Sequence, residues 1–473
     1  MGHIITIALK ECKEILRERR FQWASVIVSI LLIASTLLSF QYYKSVKQQY
    51  ELAQDNARQK WLGQGERNPH SAAHFGTYAF KPRYPLSLID SGIDKYAGVS
   101  IFLEAHSRNE AQYMAAQDQT GLSRFGDLTP DFILLFIIPL LIILLGFNSF
   151  TRERESGTLR LLKSQQVPFY ALALGKWLGL FLLVLGLVLP LYGLAWLLLS
   201  NLSDYGQFNG GALTSLFGVY LLYFMVFINL TLLVSLLAKK SNVAFVSLLG
   251  IWMIACLVIP KFTTSLANQL HPYPTQSAFV ENIKADKQAG LDGHAPWSEK
   301  AKQLEAETLE KYNVSSLEDL PFNWSGFLMQ ESEKADAEIY FKHYALLKNI
   351  YQEQTDVYQT AAALSPFLPT RFLSMAISRT DYHSHWNFAD AAEKYRIELV
   401  GAMNGDLMEN SRTGDWSYKG DEEVWASVPA FSYEPPTLSA IMPLHASNFL
   451  VLGFWLLATA LGVLLATRQL TVV

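Results

Sequence analysis

Six long apolar runs, separated by polar segments, constrain this chain more strongly than any other feature of its sequence. No Asp, Glu, Arg or His lies near the middle of any of them. Each run is about as long as a helix must be to cross the hydrocarbon core of a bilayer. Charged residues make up only 17% of the chain, against roughly 25% in soluble domains. We therefore expect a mainly α membrane protein with six transmembrane helices.

The charged residues beside these runs predict the orientation of the chain. Lys10, Lys13 and Arg17 precede the first run, Lys239-Lys240 separates the fourth from the fifth, and Arg468 follows the sixth. Lys and Arg concentrate on the cytoplasmic side of membrane proteins. An even number of spans also returns the chain to its starting side. Both termini are therefore expected in the cytoplasm.

The predicted segments follow from these runs. They are an N-terminal amphipathic helix (1–20), six spans (21–40, 130–150, 169–200, 212–238, 243–260 and 445–467) and a cytoplasmic tail (468–473). The connections are a first large loop (41–129), a short charged segment (151–168), an external turn (201–211), a cytoplasmic turn (239–242) and a second large insertion (261–444). The two large connections are expected to build a mostly helical extracytoplasmic domain.

The N-terminal segment has the pattern of a helix that lies along a membrane surface. Apolar residues recur at helical spacing between Ile4 and Leu16, whereas Lys10, Lys13 and Arg17 lie on the other face. A basic amphipathic helix beside a span lies in the plane of the interface. The alternative is a simple charged leader that precedes an anchor.

The two large connections contain several recognisable elements. Residues 44–60 are compatible with a helix that prolongs the first span as a stalk, and residues 98–104 could form a strand. In the second connection, residues 298–312 and 329–363 have helical patterns, the latter with a continuous apolar face.

Several histidines lie in the external segments. His70, His74 and His106 are scattered among residues that do not bind metals, and we expect no metal site from them. Asp381, His383 and His385 are weak candidates for three metal ligands. A His-x-His pair reaches one ion only in extended backbone, because the two side chains diverge on a helix. The favoured alternative is structural, with Thr380 or Asp381 as the N-cap of a helix that begins near Asn387.

The charged segment between the second and third spans has an ordered motif. Glu-x-Glu-x-Gly-Thr-Leu is followed by Leu-Leu, a Pro and then Gly-Lys at the start of the third span. Ionised side chains are costly in hydrocarbon, so the segment must turn at the membrane surface and present its charges to the solution. Its simplest interpretation is an ordinary basic cytoplasmic loop. The motif residues are Glu153, Glu155, Gly157, Thr158, Leu159, Leu162, Pro168, Gly175 and Lys176.

This motif resembles the coupling segment of type-2 ABC (ABC-2 type) transporter permeases, which docks into a groove of a cytosolic ATPase subunit. The resemblance implies that Glu153 and Glu155 pair with basic residues of that subunit and that Gly157 permits a close approach. Leu159 and Leu162 would bury against the groove. The N-terminal helix would correspond to the elbow helix of the family. The complete set assigned to ATPase coupling is Glu153, Arg154, Glu155, Gly157, Thr158, Leu159 and Leu162, with Lys10, Lys13 and Arg17 on the elbow helix.

A second stretch, Leu364 to Asp406, resembles an ABC-2 subgroup with a large uncharacterised domain between its last two spans. The matching positions are Ser365-Pro366, Thr380-Asp381, His383, Phe388 and Tyr395-Arg396. Together the two resemblances cover nearly the whole chain.

The sequence contains no phosphate-binding loop of the form Gly-x4-Gly-Lys-Ser/Thr. We therefore expect no ATPase activity and no cofactor in this chain, with ATP and Mg²⁺ bound by a partner subunit. The spans also lack the buried ionisable groups of ion-coupled carriers. The net charge of -4 gives no indication of nucleic acid.

The expected function is that of the permease subunit of an ATP-driven transporter. The resemblance implies export, two copies of a cytosolic ATPase, a second permease chain (identical or related) and a bacterial inner membrane. The alternative is an ATP-driven mechanical or signalling device that acts on envelope partners through its external domain and transports nothing. A membrane-anchored enzyme is a third possibility, although the external domain has no recognisable catalytic set.

Overall fold

The structure is a computed structural model that describes residues 2–114, 128–202 and 210–468, with Lys163 described by its backbone alone. Parts of the predicted external turn (203–209) and the predicted tail (469–473) lie outside this range. The chain is 75% helical with almost no sheet, as the sequence predicts.

The secondary-structure elements run as follows. The helices are α1 (Gly2–Arg17), α2 (Arg19–Leu62), α3 (Pro69–Phe75), α4 (Pro130–Phe132), α5 (Ile138–Gly146), α6 (Thr151–Glu155), α7 (Thr158–Ser164), α8 (Phe169–Ser200), α9 (Gly210–Leu237), α10 (Ser241–Met253), α11 (Ile259–Leu270), α12 (Gln276–Gln288), α13 (Glu299–Tyr312), α14 (Trp324–Ala362), α15 (Phe367–Ser378), α16 (Tyr382–Asn410), α17 (Glu422–Ser427), α18 (Leu438–Ile441) and α19 (Ala446–Arg468). The strands are β1 (Thr77–Phe80), β2 (Ser100–Glu104) and β3 (Ser107–Arg108).

Six helical segments are long and apolar enough to cross a membrane, which confirms the predicted number within the described residues. The apolar windows of the second and fourth segments are 61% and 67% buried in the chain, against 22–28% for the other four. The second and fourth spans therefore form the centre of the bundle. The segments are Arg19–Leu62, Pro130–Glu155, Phe169–Ser200, Gly210–Leu237, Ser241–Leu270 and Leu438–Arg468.

Polar side chains join the central fourth span to its neighbours. The Asn229 amide donates to the Thr459 hydroxyl at 3.1 Å and so ties the fourth span to the sixth. Asn229 therefore joins two of the spans. A buried polar pair of this kind satisfies groups that hydrocarbon cannot.

Two spans contain a π-helical turn directly before a proline. These turns cover Ile133–Ile137 in the second span and Ile254–Val258 in the fifth. Pro139 and Pro260 follow them, and proline has no N–H to donate to the preceding turn. Hydroxyl groups from other helices replace the missing donors: Tyr223 donates to the Leu135 carbonyl at 3.0 Å, and Ser365 donates to the Ala255 carbonyl at 2.6 Å.

The N-terminal helix α1 packs closely against α8. A Cβ added to Gly175 would lie 2.6 Å from side-chain atoms of Ile7, and one added to Gly179 would lie 2.9 Å from Glu11 Cβ. Small residues four apart let two helices approach to this distance. The opposite side of α1 exposes Ile5, Leu9 and Leu16, so the predicted amphipathic helix has one apolar strip for the bundle and another for lipid.

Connections between successive spans alternate between the two ends of the bundle. One end carries α1, α6, α7 and the turn between α9 and α10, and we call it the coupling end. The other carries residues 63–114 and 271–437, which we call the distal domain. Helix α2 runs without a break from the coupling end into the distal domain, where Trp61 is buried against Trp425. The predicted stalk is therefore a continuous part of the first span's helix.

The distal domain combines segments from both large connections. Its antiparallel sheet has the order β1-β2-β3, with Thr77 opposite Leu103 and Leu103 opposite Arg108. The long helices α14 and α16 pack beside this sheet. Residues Ala79, Ile101 and Phe388 form part of their common core. The predicted strand at 98–104 and the predicted helices at 298–312 and 329–363 are confirmed within a few residues.

A buried ionic network fastens the distal domain to the bundle. Arg371 on α15 pairs with Asp90 at 2.9 Å and with Asp131, at the start of the second span, at 2.6 Å. Ser374 also donates to Asp90. Burial raises the pKa of Asp90 to about 6, although the charge of Arg371 opposes that rise.

The close contact between α1 and α8 can be tested with two glycines of the same helix. Gly175→Val places side-chain atoms where Ile7 lies, and overpacking of this kind costs typically about 1–3 kcal/mol. We expect the variant to release α1, so that trypsin cleaves at Lys10, Lys13 and Arg17 faster in detergent micelles.

Gly186→Val is the matched control, because no atom lies within 4 Å of a Cβ built at Gly186. It should digest like the wild type. Equal digestion of the two variants would contradict the close packing of α1 on α8.

Candidate functional site

Two short helices at the coupling end, α6 and α7, correspond to the predicted charged segment. They are joined through Ser156 and Gly157, and Gly157 has a φ of +79°. This left-handed conformation is inexpensive only for glycine, which explains why a Gly separates the two acidic residues from the following leucines. Pro168 then precedes the first residue of α8, where its fixed φ favours the start of a helix.

A buried ion triad connects α6 with two other helices. The Lys176 ammonium on α8 lies 2.6 Å from a carboxylate oxygen of Glu11 on α1 and 2.8 Å from one of Glu153 on α6. All three residues are buried. Because the apolar surroundings screen little, each charge depends on the others for compensation. The triad therefore holds the elbow helix, the charged segment and the third span in one arrangement.

The next two residues attach α6 to the turn between the fourth and fifth spans. Arg154 donates to the carbonyl of Leu236 at 2.8 Å and also to that of Ala238, so it caps the end of α9. Glu155 accepts from the backbone N–H of Ser241 at 2.9 Å and from its hydroxyl at 2.8 Å, at the start of α10. Three consecutive residues thus contact the ends of three different spans.

These contacts revise the roles expected from sequence for several residues. Glu153 cannot pair with basic residues of a partner in this arrangement, because it is buried and bound to Lys176. Its partner Lys176 is only 2% exposed. Leu159 packs into the core of this chain and is also 2% exposed, so it is not free to enter a partner's groove. Leu162 is half-buried against the same core.

The exposed part of the segment lies around the Gly157 turn. Glu155, Gly157 and Thr158 face the solution, together with Arg160. Leu161 is 57% exposed although it is apolar. On the neighbouring elbow helix, Lys10, Lys13 and Arg17 are also exposed, as the sequence predicts.

The weak metal candidates Asp381, His383 and His385 do not converge on one point. Asp381 caps α16 by accepting from the Ser384 N–H at 3.0 Å, and its other oxygen faces His445. The capping prediction is confirmed, although α16 begins at Tyr382 rather than near Asn387. His385 points away towards Lys81, and burial lowers its pKa to about 4, with a smaller contribution from the Lys81 charge. The pKa of His383 is lowered by burial.

The structure instead brings together the histidines from which we expected no metal site. One ring nitrogen from each of His70, His74, His106 and His294 lies within 4.8 Å of one from each of the others. Burial lowers the pKa of His70 to about 4. The usable sequence signal was the His-x3-His spacing of His70 and His74, which places two rings on one face of a helix. The sequence did not indicate that these residues converge, because His294 is supplied from a different connection.

Two family models match adjacent parts of the chain. A model described as an ABC-2 family transporter protein matches residues 100–275, which include the second to fifth spans and the charged segment. A model described as a domain of unknown function, DUF3526, matches residues 277–434 in the distal domain. A comparison with curated proteins found no significant match. The family matches confirm both resemblances noted in the sequence.

The buried triad can be tested by removing its cation. Lys176→Met leaves two buried carboxylates facing each other, and breaking a buried ion pair in this way costs about 3–5 kcal/mol. We expect a clearly lower melting temperature in detergent. Replacing all three members (Glu11→Leu, Glu153→Leu and Lys176→Met) should restore most of the loss, because apolar residues of similar size are tolerated at such sites.

Lys10→Met is the matched control on the elbow helix. Lys10 forms an exposed pair with Glu14 at 3.4 Å, and such pairs contribute at most about 1 kcal/mol. The assignment fails if Lys10→Met and Lys176→Met have the same melting temperature.

Proposed function

This chain belongs to the ABC-2 transporter family and carries a DUF3526 domain, and we propose that it is a permease subunit driven through α6 and α7 by a separate cytosolic ATPase. Its direction is export in this proposal. As an ABC-2 family protein it is a multi-pass membrane subunit, and the family implies a cytosolic ABC ATPase as partner. ATP and Mg²⁺ are bound by that partner.

The contacts of Glu153, Arg154 and Glu155 carry the proposal. A force applied to α6 reaches the third span and the elbow helix through Glu153, the end of the fourth span through Arg154 and the start of the fifth through Glu155. An ordinary surface loop needs no such set of attachments. The arrangement therefore suits a segment that transmits the movement of a bound subunit to the spans.

The proposed docking surface is the exposed part of the segment. Thr158, Arg160 and Leu161 face the solution beside the Gly157 turn. Leu159 lies on the other side of α7 and packs into the core of the bundle. Burial of the exposed Leu161 in an apolar groove on the partner would remove its side chain from water and so favour association. Glu155 stays on this surface, although its carboxylate already binds Ser241.

The complete transporter in this proposal contains two permease chains and two ATPase subunits. The first, third, fifth and sixth spans leave most of their apolar windows exposed within one chain. These surfaces are available to lipid and to a second permease chain. The elbow helix, with Lys10, Lys13 and Arg17 exposed, lies beside the docking surface on the cytoplasmic side. The membrane is the inner membrane of a bacterium in this proposal.

Leu161→Asp tests the docking surface. If Leu161 enters an apolar groove, losing its burial costs about 1.5–3 kcal/mol, which corresponds to about a 10- to 100-fold weaker association. We expect less ATPase to co-purify from native membranes in mild detergent and correspondingly less ATP hydrolysis by the purified complex.

Leu52→Asp is the control, because Leu52 is also 57% exposed but lies on the distal half of α2. It should leave association unchanged. Wild-type recovery of an active ATPase with Leu161→Asp would exclude α7 as the docking surface, and recovery of the permease alone in the wild type would exclude the partner.

The mechanical alternative is favoured by one observation. Helix α2 joins the coupling end directly to the distal domain, so that ATP turnover could move that domain without moving a cargo. The two functions differ at the interface between two permease chains. A cavity there in a structure of the ATPase complex supports transport, whereas an interface filled by bulky side chains supports the mechanical device.

A further inference from the structure

Four histidines from three places in the chain meet on the surface of the distal domain. His70 and His74 lie one turn apart on α3, His106 lies in the turn between β2 and β3, and His294 follows α12. Their ring nitrogens Nε2 form two close pairs, with 3.2 Å between His70 and His74 and 2.9 Å between His106 and His294. All four ligand atoms lie within 4.8 Å of one another.

The outer nitrogens of two rings are held by oxygen acceptors. His106 Nδ1 lies 2.7 Å from a carboxylate oxygen of Glu333, and His70 Nδ1 lies 3.1 Å from the amide oxygen of Asn404. Each Nδ1–H therefore donates outward, which leaves the lone pair of Nε2 directed into the cluster. Histidines that bind metals usually have such a partner on the other nitrogen, because it fixes the tautomer and the ring orientation.

His106 is held in place before any ion binds. Its backbone has a φ of +64°, which is uncommon for a residue other than glycine. The backbone N–H donates to Glu333 at 2.6 Å, and the carbonyl accepts from Lys287 at 2.6 Å and from Tyr340 at 3.1 Å. A strained backbone conformation persists only where surrounding contacts hold it, and such positions cluster at functional sites.

The electrostatic surroundings favour a cation. The buried carboxylate of Glu333 lies 2.7 Å from His106 Nδ1 and 3.0 Å from the Arg396 guanidinium. Glu104 and Asp292 add negative charge near His74 and His294. His74 and His294 are exposed, so an ion can enter from the solution.

We propose that His70, His74, His106 and His294 bind one divalent transition-metal ion, with zinc as the best fit. Four protein ligands without an open position are typical of a structural zinc site, and histidine nitrogens are among the ligands that zinc accepts. A tetrahedral zinc with Zn–N distances of 2.0–2.1 Å requires its ligand atoms to lie about 3.3 Å apart. The 2.9–4.8 Å spacing here reaches that value with ring movements of about 1 Å or less.

The ion would join parts of the chain that are far apart in sequence. It cross-links the connection between the first two spans, through α3 and the β2–β3 turn, to the connection that follows the fifth span. Both connections already share the core of the distal domain. An ion at this point fixes their relative position and adds stability that depends on metal concentration.

The test uses the full-length chain in detergent, purified through a tag without histidines. We expect close to one zinc per chain by mass spectrometry of metals. After removal of the ion by a chelator, added Zn²⁺ should raise the melting temperature. Co²⁺ in place of zinc should give the visible absorption of a tetrahedral nitrogen site.

Two single variants localise the site. His294→Ala and His74→Ala alter exposed ligands and should fold, but each should lower Zn²⁺ affinity by more than the roughly 10- to 100-fold that loss of an outer hydrogen-bond partner costs. Both should lose the Co²⁺ spectrum. His383→Ala is the control in the same domain and should bind like the wild type.

Three results would overturn the proposal. They are a wild-type chain that takes up far less than one zinc, a His294→Ala variant that binds as tightly as the wild type, and a Co²⁺ spectrum typical of octahedral surface binding. These measurements do not involve the ATPase, so they are independent of the proposed transport function.

Discussion

The attraction between one buried ammonium and two buried carboxylates organises the coupling end of this protein. Lys176 can remain in an apolar environment only because Glu11 and Glu153 lie within 2.8 Å of it. Each of the three residues belongs to a different helix, so none of those helices can move away without exposing an uncompensated charge. The close packing of α1 on Gly175 and Gly179 depends on the same arrangement. The triad therefore couples α1, α6 and α8, so that these three helices behave as one unit.

The spans and most helices of this chain could be predicted from sequence because hydrocarbon permits few alternatives. Apolar runs bounded by charges locate the spans, and the predicted third span coincides with α8. Local capping chemistry was equally accessible, as Asp381 shows. These features depend on neighbours within a few residues, which a sequence displays directly.

The roles of individual charged and metal-binding residues could not be predicted in the same way. The sequence does not show that Lys176 meets Glu153, which lies 23 positions before it, and Glu11, which lies 165 positions before it. His294 likewise joins His106 across 188 positions. Such pairs depend on how the connections between spans pack in three dimensions. Hydropathy patterns and residue spacing do not show that packing. The resemblance to ABC-2 permeases drew attention to the segment of α6 and α7 but could not separate its buried residues from its exposed ones.

The unbroken length of α2 has a mechanical consequence. Its 44 residues extend about 66 Å at 1.5 Å per residue. Glu18, at its lower end, pairs with Arg152 on α6, and Trp61, at its upper end, lies in the core of the distal domain. A rod of this length is a lever, since a tilt of about 5° at the lower end displaces the upper end by about 6 Å. Small rearrangements at the lower end of α2 can therefore appear as large displacements of the distal domain at the other end of the bundle.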